Sequence, residues 1–224
     1  LKNKLLLGLI VVLLNCSSPQ SFSYTPTDHP EPKVKSGKRI GILPFKDLRP
    51  EKDEYKIVIP YIVFPLVFWQ TFEDERPRKY ERNYKFYFDI ELAQALRSEL
   101  ESSLQFSEVY LTQKAMPEDY DLKLEVETVS TKQKTIGISY GLGIFIIPFT
   151  YIGIPVANVE NEIKINIKIL DTKSNKLFFQ KEYKNKASCY QSRYNNKLFQ
   201  NEIDIVQRMF PEIANDIVNA ISKK

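Results

Sequence analysis

Ile163, Ile165, Ile167 and Ile169 alternate with Lys164, Asn166 and Lys168. A period of two with branched apolar side chains predicts a strand buried on one face. Asp171 to Lys176 is a run of turn residues, so Leu177 to Tyr183 is expected to return as the hairpin partner. Leu122, Leu124 and Val126 alternate in the same way with Lys123, Glu125 and Glu127. Arg39 to Phe45 is a short apolar run that predicts a buried strand, with Gly41 and Pro44 marking its ends. Phe106 to Thr112 predicts another, with Val109 and Leu111 on one face.

The period changes twice. Leu92, Ala93, Leu96, Leu100 and Leu104 recur at helical spacing, while Glu91, Gln94, Arg97, Glu99 and Glu101 fill the remaining, solvent-directed faces. Asp89 is the expected N-cap. Val206, Phe210, Ile213, Ile217 and Ile221 predict a C-terminal helix that Pro211 should kink or restart. The order strand, helix, strand, strand, strand, helix points to an α+β two-layer sandwich. Its mixed sheet would have four to five strands and carry both helices on one face.

Two uncharged stretches do not fit that plan. The first, Ile57 to Trp69, lies in a connection of about forty residues between the first strand and the first helix, far beyond the usual loop of roughly 4–6 residues. The second runs from Thr135 to Val159 and holds Gly137, Gly141, Gly143, Gly153, Pro148 and Pro155. As a straight membrane helix it would gain about 6 kcal/mol from its apolar side chains. Its Gly and Pro would cost on the order of 10 kcal/mol in helix propensity. A span would also pierce a domain whose strands continue on both sides. Two readings are left open. Either the stretches enlarge the core, with Ile144 to Ile147 a buried strand, or part of them stays exposed as a contact surface for a membrane or a protein. On the second reading the contact residues are Tyr61, Phe64, Phe68 and Trp69, then Ile144, Phe145, Ile146, Phe149 and Tyr151. The dense mixed charges from Glu73 to Lys85 are expected to form a solvated face.

At the N-terminus, Lys2 and Lys4 precede the apolar stretch Leu5 to Leu14. Ten helical residues rise only about 15 Å, half a bilayer core, so residues 1–15 predict a signal peptide and not a span. Leu13-Leu14-Asn15-Cys16 resembles the lipobox of bacterial lipoproteins, in which the Cys is acylated and becomes the mature N-terminus; Asn15 departs from the small residue usual before it. The resemblance implies Cys16 as the lipid attachment site, a location in the cell envelope, and the outer membrane over the inner because Ser17 follows the Cys. Residues 16–37, with Pro19, Pro26, Pro30 and Pro32, read as a lipidated tether, and residues 38–224 as one α+β domain. His29, the single histidine, is expected to be solvated there.

Composition narrows the chemistry. The formal net charge is +4, and loss of Lys2 and Lys4 would leave 30 basic against 28 acidic side chains. That is too even for a nucleic-acid binder. One His and two Cys argue against metal clusters and disulfide frameworks. Walker A, dinucleotide-binding, Gly-x-Ser-x-Gly and His-Glu-x-x-His motifs are missing. With His29 placed in the tether, His-based nucleophilic catalysis inside the domain is not expected. Glu125, Glu127 and Glu162 read as solvent sides of amphipathic strands, and Cys189 as a small packed residue. Neither an enzyme nor a cofactor is expected.

Gly41-Ile-Leu-Pro-Phe-Lys-Asp47, then Glu91 to Leu100 leading into Phe106-Ser-Glu-Val-Tyr110, resembles bacterial envelope lipoproteins with a small α/β domain. Examples are the lipopolysaccharide-assembly lipoprotein and the TolB N-terminal domain. The likeness covers about residues 38–130 and implies a binding, assembly or transport-accessory role, with no functional residue carried over. The expected partners are the membrane, through the N-terminal lipid, and an envelope protein or a second copy through the apolar stretches. A pore or secretion-channel subunit and an amphiphile carrier are the alternatives.

Overall fold

One long strand organises the molecule. A computed structural model of the chain describes residues 22–29, 36–49, 54–58, 71–75, 88–103, 105–112, 119–137, 153–155, 157–192 and 200–222. In chain order the elements are β1 (Arg39–Ile42), β2 (Lys46–Asp47), β3 (Glu54–Val58), β4 (Thr71–Glu75), α1 (Phe88–Ser102), β5 (Glu108–Leu111), β6 (Leu122–Gly137), β7 (Ala157–Asp171), β8 (Leu177–Gln191) and α2 (Gln200–Ser222). At about 3.3 Å per residue, β6 extends for about 50 Å. Along one side it pairs with β7 over its whole length, and β7 pairs with β8, both antiparallel. Along its other side it meets three partners in succession: β1 at Leu122 to Leu124, β2 at Glu127 and Thr128, and β4 at Lys132 to Ile136. β1 and β2 run parallel to it and β4 antiparallel; β5 adds to β1 in parallel and β3 to β4 in antiparallel. The sheet is therefore mixed, with α1 serving as the connection into β5 that a parallel neighbour of β1 requires.

The alternation in the sequence explains which face closes. Ile40, Ile42, Leu122, Leu124, Val126 and the four isoleucines of β7 form one buried cluster with Leu92, Leu96 and Leu100 of α1 and Val206, Phe210, Ile213 and Ile217 of α2. Both helices thus cover the same face, as the α+β sandwich requires. Gly41 is where β1 comes closest to a neighbour: a Cβ there would stand 2.7 Å from the ring of Tyr120. Cys189 is partly exposed in β8 opposite Val159.

Several expectations change. Among the described residues the sheet has eight strands, not four to five, because β2, β3 and β4 occupy the connection between the first strand and the first helix. Ile57 and Val58 of the first apolar stretch belong to β3, and Glu73 to Glu75 of the charged run belong to β4. Asp89 is the second residue of α1 rather than its cap, where its charge suits the helix N-terminus. α2 continues through Pro211 as one element, because its apolar stripe is buried on both sides of the proline. A straight helix over Thr135 to Val159 is excluded at both ends, since Thr135 to Gly137 and Ala157 to Val159 are paired strands. No helix among the described residues is long and apolar enough to cross a membrane.

Candidate functional site

The sheet has two dissimilar ends. At one end β1, β5 and the start of β6 meet the β7–β8 turn: Arg39 is opposite Glu108 and Leu122 opposite Asp171. At the other end Val58 is opposite Thr71, Gly137 opposite Ala157, and Ala157 opposite Gln191. Thr71 in turn is opposite Ile136. The four strand ends from which residues 59–70 and 138–156 leave therefore stand side by side on adjacent strands. Topology brings together the strand ends that flank two apolar stretches far apart in sequence. The proposed contact residues themselves, Tyr61, Phe64, Phe68, Trp69, Ile144, Phe145, Ile146, Phe149 and Tyr151, lie outside the described residues, as do Cys16 and Ile147.

The inner face changes character before it reaches that end. Beyond Val126 and Ile163 the positions turned toward the helices become Thr131, Gln133 and Thr135 in β6 and Asn161 in β7, with the buried Val159 the next inward residue of β7. Asn161 Nδ2 donates to Glu202 Oε1 at 2.7 Å, and Asn201 Nδ2 donates to the Val159 carbonyl at 2.8 Å. Asn161 Oδ1 and Asn201 Oδ1 are buried and accept no hydrogen bond, a combination that costs stability. Arg49 adds to this band. Its guanidinium, 2% exposed, grips Asp47 with Nε at 2.9 Å and Nη2 at 2.8 Å, and Nη1 donates to Thr131 Oγ1 at 3.2 Å. A polar band thus separates the isoleucine core from the strand ends that carry the apolar connectors.

The opposite face of the sheet is a lattice of opposite charges. Lys168 bridges to Glu127, Lys164 to Glu182, Lys184 to Glu162, and Lys186 to both Glu160 and Glu162. Glu127 also accepts from Asn166 Nδ2 at 3.0 Å, and these donors, Lys168 foremost, hold its pKa below the ordinary carboxylate value. Burial would raise that of Glu162, but the two lysines outweigh it and the net shift is downward. Glu162 is therefore not a freely solvated residue: its side chain is 11% exposed beneath its lysine partners.

The N-terminal segment holds the clearest departure from the sequence reading. His29 is not solvated. Its Nε2 lies 2.6 Å from Oε1 of Glu99, with the His side chain 9% and the Glu side chain 0% exposed. The other carboxylate oxygen accepts from Tyr24 Oη at 2.5 Å and the Thr27 N–H at 2.9 Å. Burial, the bond to Glu99 and the nearby negative charge all push the Tyr24 pKa upward. Glu99 was expected on a solvent face of α1. Its spacing from Leu92 and Leu96 places it on the apolar stripe instead, a signal present in the sequence. The premise that the only imidazole stands apart from the domain falls with this contact. Among the described residues no three His, Cys, Asp or Glu side chains cluster as a metal site would require.

No protein-family model matches the sequence, and no curated protein matches it. Similar solved structures are bacterial. A DUF330 protein from Xanthomonas campestris is 9% identical, with 90% of this chain and 96% of that one covered and a TM-score of 0.48. The hypothetical protein CT253 from Chlamydia trachomatis is 13% identical, covering 85% of this chain and 100% of that one, with a TM-score of 0.45. A "putative lipoprotein" from Caulobacter crescentus is 13% identical, covering 59% and 81%, with a TM-score of 0.33. All three scores lie below 0.5, so function has to be argued from the chain's own residues.

Proposed function

We propose that this protein is a membrane-anchored lipoprotein of the bacterial cell envelope, acylated at Cys16, that acts without catalysis as a binding or assembly factor. The observation that carries this reading is the shared end of the sheet. Both uncharged connectors leave from adjacent strand ends, beyond a polar inner band and beside a charged outer lattice. Large apolar side chains gathered there serve as a contact for an envelope partner, with Trp69 and Phe145 as central anchors. The finer likeness to the lipopolysaccharide-assembly lipoprotein belongs to this proposal and draws on Gly41 to Asp47 and Glu91 to Leu100. So does the outer-membrane location, which draws on Ser17.

The test is a pull-down from membranes with the acylated protein, repeated with Phe145→Asp. A partner held by the wild type and released by the variant, at unchanged melting temperature, supports the reading. Equal capture by both contradicts it. The same neighbouring connectors favour a second reading, in which several copies bring them together as a membrane pore. Mass measurement in detergent separates the two: a stable ring supports the pore, and a monomer excludes it.

A further inference from the structure

Residues 22–29 are bound to the domain as a strap, and all three described bonds to the Glu99 carboxylate come from them. Phe22 and Tyr24 turn inward against the core, the Tyr24 ring lies 5.8 Å from that of Phe210 in α2, and Ser23, Thr25, Pro26, Thr27 and Asp28 stay exposed. The strap and the carboxylate depend on one another. A fully buried carboxyl group needs polar partners, and here Tyr24 Oη and the Thr27 N–H donate to Glu99 while His29 Nε2 lies in hydrogen-bond contact with it. If the strap lifts, water reaches Glu99 and replaces all three. Neither state leaves the carboxyl group without polar partners, and that is the condition for a contact that can open and close.

The strap also decides where the chain leaves the domain. The next fixed point after it is Ser36, whose N–H and Oγ both donate to the Gln105 carbonyl at 3.0 Å. Gln105 precedes β5, at the end of the sheet opposite the apolar connectors. An unclasped chain therefore departs at that far end, whereas a clasped one departs from Phe22 on the helix layer. We infer that the strap, clasped on Glu99, is a spacing device that sets how far and from which side the domain stands off a lipid surface. This rests on the reading of Cys16 as the acylated residue. From Cys16 to Phe22 the chain can span at most about 20 Å. From Cys16 to Ser36 an extended Pro-rich chain spans about 60 Å. Clasping draws the domain toward the bilayer and moves its attachment off the far end of the sheet.

The experiment uses the full acylated protein on a supported phosphatidylethanolamine–phosphatidylglycerol bilayer, wild type against Tyr24→Ala/His29→Ala. Hydrogen exchange at the Thr27 amide reports the clasp, and neutron reflectometry reports the gap between headgroups and domain. The expected result is a protected amide with a gap no wider than about 20 Å in the wild type. The variant should lose the protection while the domain still melts cooperatively, and show a gap distribution reaching toward about 60 Å. Glu99→Ala should release the strap from the domain side with the same two readouts. A wild-type amide that exchanges as fast as the variant's, or two gap distributions that coincide, overturns the inference. Intact mass is read separately. A Cys16 without acyl chains overturns the lipoprotein reading and the membrane spacing with it, while the exchange result still decides whether the clasp exists.

Discussion

The two halves of the long β6–β7 pair are built from the same backbone and carry opposite side chains inward. Over Leu122 to Val126 and Ile163 to Ile169 every inward position is a large apolar residue, fully or almost fully buried against α1 and α2. Over Thr131 to Thr135 and at Asn161 the inward positions are hydroxyls and amides, with Val159 an apolar residue beyond them, and the β6–β7 ladder continues past a register shift at Thr128/Ser130 to Gly137 and Ala157. Pairing holds both halves, and hydrophobic burial is concentrated in one, with Val159 and Ala187 the apolar residues buried in the other. The polar half is a rigid extension, fixed by its neighbours β4 and β8, that carries the two connectors away from the core.

Truncations to alanine should separate the halves. Ile165→Ala removes a fully buried side chain and is expected to cost about 2–5 kcal/mol in urea unfolding. Thr135→Ala in the polar half should cost at most about 1 kcal/mol. Equal losses would mean that the core runs the full length of the sheet. Gly41→Ala sharpens the apolar half from the opposite direction. Its new methyl would press on the buried Tyr120 ring, and overpacking of this kind costs about 1–3 kcal/mol.

Much of this division was legible in the sequence, and the reasons for the misses are physical. The isoleucine alternation, the hairpin turn and both helices follow from periodicity, because burial on one face leaves a period in the chain. β3 and β4 left none: Thr71 to Glu75 is a strand because β6 pairs with it and Glu54 to Val58 because β4 does, and backbone pairing imposes no side-chain pattern. The alignment of the two connectors at one end was hidden for the same reason. His29 was misjudged because a Pro-rich composition says nothing about a single docked residue. The apolar spacing of Phe22 and Tyr24, together with a Glu on the stripe of α1, was the clue.

Electrostatics offers a finer comparison. Lys181 Nζ and Tyr183 Oη both donate to Asp216 Oδ2, at 2.6 and 2.9 Å, tying β8 to α2 over the apolar half. Burial would raise the Asp216 pKa, but those bonds outweigh it and the net shift is below 3.8. A lowered folded-state pKa means that the unfolded chain binds the proton more readily. The stabilisation is complete well above 3.8 and is lost as the pH falls through that value toward the lower folded one. Asp216→Asn should flatten this acid limb in a melting-temperature series. Retention of the full acid limb in the variant would assign it to other carboxylates, such as Glu127. The smallest effect belongs to the exposed Arg97–Glu101 pair, 2.7 Å apart on α1, where Arg97→Ala should cost about 0.3–0.5 kcal/mol.

The most direct measurement removes a connector and asks whether the fold notices. Val58 and Thr71 are already opposite one another, so residues 59–70 can be replaced by a two-residue Asn-Gly turn without disturbing the β3–β4 register. If the connectors are contact surface, the thermal midpoint should move by no more than about 2–4 °C, the equivalent of about 1 kcal/mol for a domain of this size. A fall of about 10 °C or more would show that residues 59–70 belong to the core, and the proposed contact surface would be withdrawn.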